Sequence, residues 1–445
     1  MESTLIVNCR IVNEGEIVAG DVLIEQGRIA AVGGDLSHRP ARRVVDGQGR
    51  HLLPGMIDDH VHFREPGMTH KGDIYSESRA AVAGGITSTM EMPNTSPPVV
   101  DLAGWAAKRE IAARNSFTNY AFYLGATADN LDVIEALDPG QVCGVKLFMG
   151  ASTGSLLVDS AEALDAWFAR CPVLLAAHCE DNDIIAANTR KYTEQHGKEL
   201  PAGFHPLIRN AEACYRSTAR AVELARRHGS RLHVLHLSSA DELDLFGTGP
   251  VEKKRITAEV SVHHLWFSSG DYAALGNDLK CNPAVKSAED RQALRQALMA
   301  DRIDVIGTDH APHTRDEKAR PYLQAPSGLP MVQHALPALL ELHRQGLFSL
   351  PQLVLKTSHA PARLFGVKER GFIRPGYWAD LVLVDLARPT PLGRDDILYK
   401  CGWSPFSRAA LSASIRATWV SGRLAYAADK GTYRPKGMPL AFLPH

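Results

Sequence analysis

Between residues 55 and 307 the chain switches repeatedly from a short apolar run to a helical stretch and back, and this alternation restricts its fold more than any other feature. The apolar runs are Gly55-Met56-Ile57-Asp58, Ile86-Thr87-Ser88-Thr89-Met90, Ala121-Phe122-Tyr123-Leu124, Val145-Lys146-Leu147-Phe148, Val173-Leu174-Leu175-Ala176, Leu232-His233-Val234-Leu235, Ile256-Thr257-Ala258-Glu259-Val260 and Ile303-Asp304-Val305-Ile306-Gly307. Most gaps hold Ala/Leu/Arg/Glu-rich segments such as Ala288 to Met299 and Asn210 to Arg227. Strands alternating with helices require a parallel sheet covered by those helices, and eight such units fit a closed (β/α)8 TIM-like barrel of the α/β class. The expected barrel spans 55–371. In such a barrel, catalytic groups belong at the C-terminal ends of the strands.

The flanks read differently. Thr4-Leu5-Ile6-Val7, Glu16-Ile17-Val18, Asp21-Val22-Leu23-Ile24 and Arg28-Ile29-Ala30-Ala31-Val32 alternate polar and apolar residues around turns such as Gln26-Gly27. The same texture returns at Leu381-Val382-Leu383-Val384-Asp385 and Thr418-Trp419-Val420-Ser421-Gly422-Arg423. Neither end is long enough to bury a good core alone, so 1–54 and 372–445 are expected to pair into one small β-sandwich domain. Lys and Arg total 49 against 50 Asp and Glu, a net charge of −1 that argues against nucleic acid or a membrane surface as partner. No apolar run reaches bilayer-spanning length, and Met1-Glu2-Ser3-Thr4 lacks a basic, then apolar, leader pattern. Seven cysteines without a CxxC pair argue against disulfides and cysteine-based zinc binding. A reduced, cytoplasmic protein acting on a small molecule is expected.

The 19 histidines are informative through their positions. The first strand ends in Asp59-His60-Val61-His62, and alternate strand residues point the same way, roughly 6.6 Å apart. Two imidazoles so placed can converge on one divalent ion. Strand five ends at His178, strand six at His236, and strand eight at Asp309-His310-Ala311-Pro312-His313, while strand four carries Lys146. A bare ammonium facing a barrel interior is costly. Capture of CO2 as a carbamate would turn Lys146 into an anion whose two oxygens can bridge two metals. His263-His264 and Cys179 read as structural, and Glu252-Lys253-Lys254-Arg255 as a solvated basic run.

Pro54 to Gly67 (PGMIDDHVHFREPG), Met92-Pro93-Asn94-Thr95 and Thr308-Asp309-His310-Ala311-Pro312-His313 together resemble the amidohydrolase superfamily, and within it the hydantoinase-like dihydroorotases. The resemblance covers nearly the whole chain. It implies two divalent metals, usually zinc, with His60, His62 and Asp309 on one, His178 and His236 on the other, and carbamylated Lys146 as the bridge. It further implies reversible interconversion of (S)-dihydroorotate and N-carbamoyl-L-aspartate in pyrimidine biosynthesis, through a metal-activated hydroxide with Asp309 as the catalytic base and acid. Arg64 and Asn94 would bind the substrate carboxylate, Arg64 as a planar bidentate donor, and Asn282, His313, Ser327 and Gly328 would complete the substrate site. A homodimer is expected, with association with aspartate transcarbamoylase as a further expectation. The Val145-Lys146-Leu147-Phe148-Met149-Gly150 run is closer to hydantoinases than to those dihydroorotases that bridge with aspartate. Allantoinase or hydantoinase/dihydropyrimidinase chemistry is therefore the alternative, followed by a dihydroorotase-like scaffold without activity.

Overall fold

The computed structural model describes residues 3–150, 156–434 and 437–443. Its eight barrel strands are Met56–Val61, Ile86–Glu91, Asn119–Phe122 with Leu124–Gly125, Val145–Phe148, Leu175–His178, Leu232–Val234, Ile256–Ser261 and Val305–Gly307. All pair in parallel with their neighbours in sequence. The third strand breaks at Tyr123, whose N–H turns to Glu91 O (3.0 Å) and whose hydroxyl donates to Asp59 O (3.1 Å). The ring closes where His62 N–H donates to His310 O at 2.7 Å, so the seam joins two segments that carry the predicted site.

Sidedness follows the two-residue period of a strand. Val145 and Leu147, Leu175 and Ala177, and Leu232 and Val234 face the helices, packing with residues such as Trp167, Ala221 and Val222. The alternate set points inward. There Ile57, Met90, Tyr123, Ala176, Leu235, Val305 and Phe365 fill one part of the barrel, while Lys146 and His178 are left for the other; His236 lies past the strand end, where its left-handed backbone (φ 40°) breaks the alternation and lets it join them.

The helices start and stop where their sequences demand. Ala288–Met299 is capped by Ser287, whose hydroxyl accepts from Asp290 N–H while the Asp290 carboxylate accepts from Ser287 N–H. Ala211–His228 begins at Asn210, which caps Ala213 N–H, and ends at left-handed Gly229 (φ 68°). Arg226, Arg227 and His228 occupy its last turn, where positive charge complements the helix dipole. The gap between strands six and seven departs from the expected alternation, holding only short 3-10 turns at Leu243–Leu245 and Val251–Lys253. Strand five also starts two residues later than its apolar run suggests. Lys254 is half-buried, its amine 2.7 Å from Asp304, while Glu252, Lys253 and Arg255 are exposed.

Both flanks join in a single nine-stranded sheet. Its centre is the antiparallel pairing of His51–Pro54 with Leu381–Asp385, which links the early strands Ser3–Asn13, Glu16–Glu25 and Arg28–Gly33 to the late strands Ser414–Val420 and Arg423–Ala427. Three of its hairpins turn in two residues, at Glu14-Gly15, Gln26-Gly27 and Ser421-Gly422. In each, both central residues have positive φ (50° and 90°, 53° and 83°, 47° and 76°), the geometry whose twist matches paired strands and which selects glycine at the second position. Among the described residues no helix is long and apolar enough to cross a membrane, and all seven cysteines are free.

Candidate metal centre

At the C-terminal mouth of the barrel, His60, His62, Arg64, Asn94, Lys146, Phe148, His178, His236, Asn282, Asp309, Ser327 and Gly328 line one cavity of about 120 Å³. Every residue singled out from the sequence is in this set except His313. That histidine lies behind Arg64, its Nε2 3.1 Å from Arg64 Nη2 and 3.0 Å from Ser327 O. It backs the cavity instead of lining it.

Nε2 of His60 and Nε2 of His62 approach the same oxygen of Asp309, at 3.3 and 3.2 Å, and these three side chains present ligand atoms within 4.8 Å of one another. On the other side, His178 Nδ1 faces His236 Nε2 at 3.0 Å. The outer nitrogens of three of these rings are held by partners that fix them, while Nδ1 of His236 has none among the described residues. His60 Nδ1 lies 3.2 Å from Glu259, His62 Nδ1 2.8 Å from Asn94 Oδ1, and His178 Nε2 2.9 Å from Glu180. Assigning the protons to these outer nitrogens leaves a lone pair of each ring directed into the cavity. Burial lowers the pKa of all four rings, to about 4 for His62 and well below the ordinary value for His60 and His236. They are neutral near pH 7, the state in which imidazole ligates. Burial alone would raise the Asp309 pKa, but the facing His60, His62 and His236 overcome this and hold it well below the usual carboxylate range.

This donor set fits a divalent cation. Converging neutral imidazoles plus a carboxylate are the chemistry of a zinc-type site, and the oriented outer nitrogens are the usual support of such ligands. Lys146 is buried between the two halves, and among the described residues no carboxylate lies within ion-pairing distance of its amine. Burial lowers its pKa to about 8 against the pull of Asp309 and Glu259.

Three residues of the site have strained backbones. Arg64 (φ 71°), His236 (φ 40°) and Asp309 (φ 46°) all occupy the left-handed region, which residues with side chains seldom adopt. Their placement just past strand ends turns each side chain over the barrel mouth, consistent with strain held at a functional site. Arg64 is also an unusual cation. Its guanidinium is buried, donating through Nε to Pro312 O (3.1 Å), yet among the described residues it has no carboxylate partner.

Several supporting residues were not evident from the sequence. Glu259 lies inside the seventh strand, contacts His60 and accepts from His236 N–H at 3.0 Å. Glu180 is gripped by Arg209 at 2.5 Å. A carboxylate in the middle of the apolar run Ala258-Glu259-Val260, and one two residues after His178, are the signals that could have marked them.

The amidohydrolase family profile matches residues 51–425. Several similar proteins are named dihydroorotase, among them that of Methanosarcina mazei, 34% identical over 414 residues that cover 90% of this chain and 89% of that one. An allantoinase of Solibacter usitatus is 31% identical, covering 99% of this chain and 97% of its own. The solved L-hydantoinase of Arthrobacter aurescens superposes with a TM-score of 0.93 at 26% identity, covering 99% of this chain and all of its own.

Proposed function

Because the chain belongs to the amidohydrolase family, we propose that its barrel mouth interconverts dihydroorotate and N-carbamoyl-aspartate. The observation that carries this substrate is Arg64, a buried guanidinium that pairs with no carboxylate among the described residues, next to a cage suited to hydrolysis. An exocyclic carboxylate on the substrate supplies the missing anion through a bidentate pair. Asn94 supports it: its Oδ1 is engaged by His62, which leaves its NH2 group as a donor toward the cavity. Asn282 and the Ser327-Gly328 backbone face the ring, and His313 positions Arg64 from behind.

In this proposal His60, His62 and Asp309 would hold one divalent ion and His178 and His236 the other, with Lys146 as a carbamate ligand; zinc is the ion proposed. When bound, such ions polarise a carbonyl and bring the pKa of water toward neutrality. Asp309, already ionised, accepts the proton of the attacking water and returns it to the ring nitrogen as the amide bond breaks. One carboxylate thus serves as base and then acid. The reverse sequence closes N-carbamoyl-aspartate. An Asp309→Asn variant is expected to lose about 10²–10⁴-fold in kcat, and unchanged turnover would exclude this role. The residues 1–54 and 372–445 are proposed as one supporting unit around a catalytic 55–371, the protein as a homodimer able to associate with aspartate transcarbamoylase, and the cytoplasm as its compartment.

The deciding experiment compares turnover of metal-replete protein on dihydroorotate, allantoin, dihydrouracil and hydantoin. Preference for dihydroorotate, with KM raised at least tenfold by Arg64→Ala (about 1.4 kcal/mol of binding), is the expected result. The Solibacter relative favours allantoin as the second reading, and preference for allantoin or another ring without a carboxylate would replace the substrate while keeping the hydrolase.

A further inference from the structure

Past the seventh strand the chain enters the short helix Val262–Trp266, in which His263 and His264 lie with ring centroids 4.3 Å apart. Both are buried, as is Cys281, the residue directly before cavity-lining Asn282. One nitrogen from each ring and Sγ of Cys281 lie within 4.8 Å of one another. Hydrogen bonding does not account for this grouping. Among the described residues neither ring nitrogen of His263 has a partner, nor does Nδ1 of His264. His264 Nε2 donates to Pro283 O at 3.2 Å, which leaves a lone pair on the unpartnered Nδ1. The Cys281 thiol donates to the same carbonyl at 3.3 Å. Buried side-chain nitrogens are nearly always satisfied, and here three are not, all in one cluster with a sulfur beside them.

We infer that His263, His264 and Cys281 form a further metal site, separate from the barrel-mouth cage, that takes a thiophilic divalent transition metal of the zinc and cobalt class. Two imidazoles and a thiolate are borderline-soft donors that select such ions over magnesium or calcium. Binding exchanges the S–H bond of Cys281 for a sulfur–metal bond and releases one proton to solvent, with no change of oxidation state. Burial, with a further push from Asp309, raises the metal-free thiol to about 12; the charge of the ion is what removes that proton. An ion held this way fastens the end of the seventh strand to the segment that presents Asn282. The inference does not depend on which cyclic amide the cage hydrolyses.

Among the described residues the lining of the cage holds no sulfur donor, so a thiolate–cobalt charge-transfer band that depends on Cys281 reports on the new site and not on the cage. Protein produced with cobalt as its only transition metal should show that band in the near ultraviolet. Cys281→Ser should abolish the band and lower the bound cobalt by one equivalent per chain. His263→Gln, which keeps the sulfur, should lose the same equivalent and provides the test if the cysteine variant fails to fold. A cobalt-loaded protein without the band, or a band and metal content that survive both substitutions, overturns the site.

Discussion

Glu180 shows how single residues prepare the cage. Burial alone would raise its pKa, but Arg209 and His178 hold it at about 2 instead of 4.5. A carboxylate with a lowered folded-state pKa contributes stability that is fully present above 4.5 and is lost as pH falls toward 2. Arg209→Met leaves that charge buried without its cation. Urea unfolding near neutral pH should show a loss of about 3 kcal/mol, and the gap from the parent should narrow as the pH is lowered below 4.5. Equal losses at both pH values would mean that the arginine contributes packing rather than charge. Lys146 gives a second pH-dependent outcome. With a pKa near 8, about a tenth of its amine is free base at neutral pH, far more than for a solvent-exposed lysine. Since only the free base captures CO2, the carbamate signal of metal-free protein supplied with ¹³C-bicarbonate should grow as pH rises through 8 and vanish in Lys146→Arg.

At the scale of elements, the legible features were those whose signal is local. Helix Ala288–Met299 begins and ends where composition placed it because Ser287 and Asp290 form a reciprocal cap. Ser287→Ala should lower stability by about 1 kcal/mol, measured as a shift in the urea midpoint with unchanged slope. The fifth strand was displaced because Val173 and Leu174 are as apolar and as buried as Leu175 and Ala176. What distinguishes them is pairing with Leu232 and His233, a partner 57 residues away that composition cannot reveal. The same limit governs the site. His60 and His62 could be read from a period of two, and the remaining cage residues from their places at strand ends. The partners of Glu259 and Arg209 could not, since a lone charge in a strand or just past a helix gives no indication of which distant group it will meet. His313 was displaced from the cavity wall because its position depends on the path of the 311–328 loop, which seats it between Arg64 and Lys71.

The whole molecule is tied together by a buried junction between sheet and barrel. Asp380 accepts from Arg370, from Ser421 N–H (2.7 Å) and from Asn119 Nδ2 (3.0 Å), so one carboxylate links the composite sheet to the third barrel strand. Asp380→Ala should cost 3–5 kcal/mol by leaving Arg370 buried and unpaired, with barrel and sheet unfolding earlier together; two separate thermal transitions, with that of the barrel unchanged, would show that the units are independent. The pairing of His51–Pro54 with Leu381–Asp385 has a further consequence during synthesis. More than three hundred residues separate the two strands, on the order of half a minute of translation at ordinary rates. Throughout that interval the nascent chain carries an apolar strand edge whose partner has yet to be made, and such edges invite pairing with other chains. The ribosome-bound protein is therefore most dependent on chaperones in the window between completion of the early strands and emergence of Leu381.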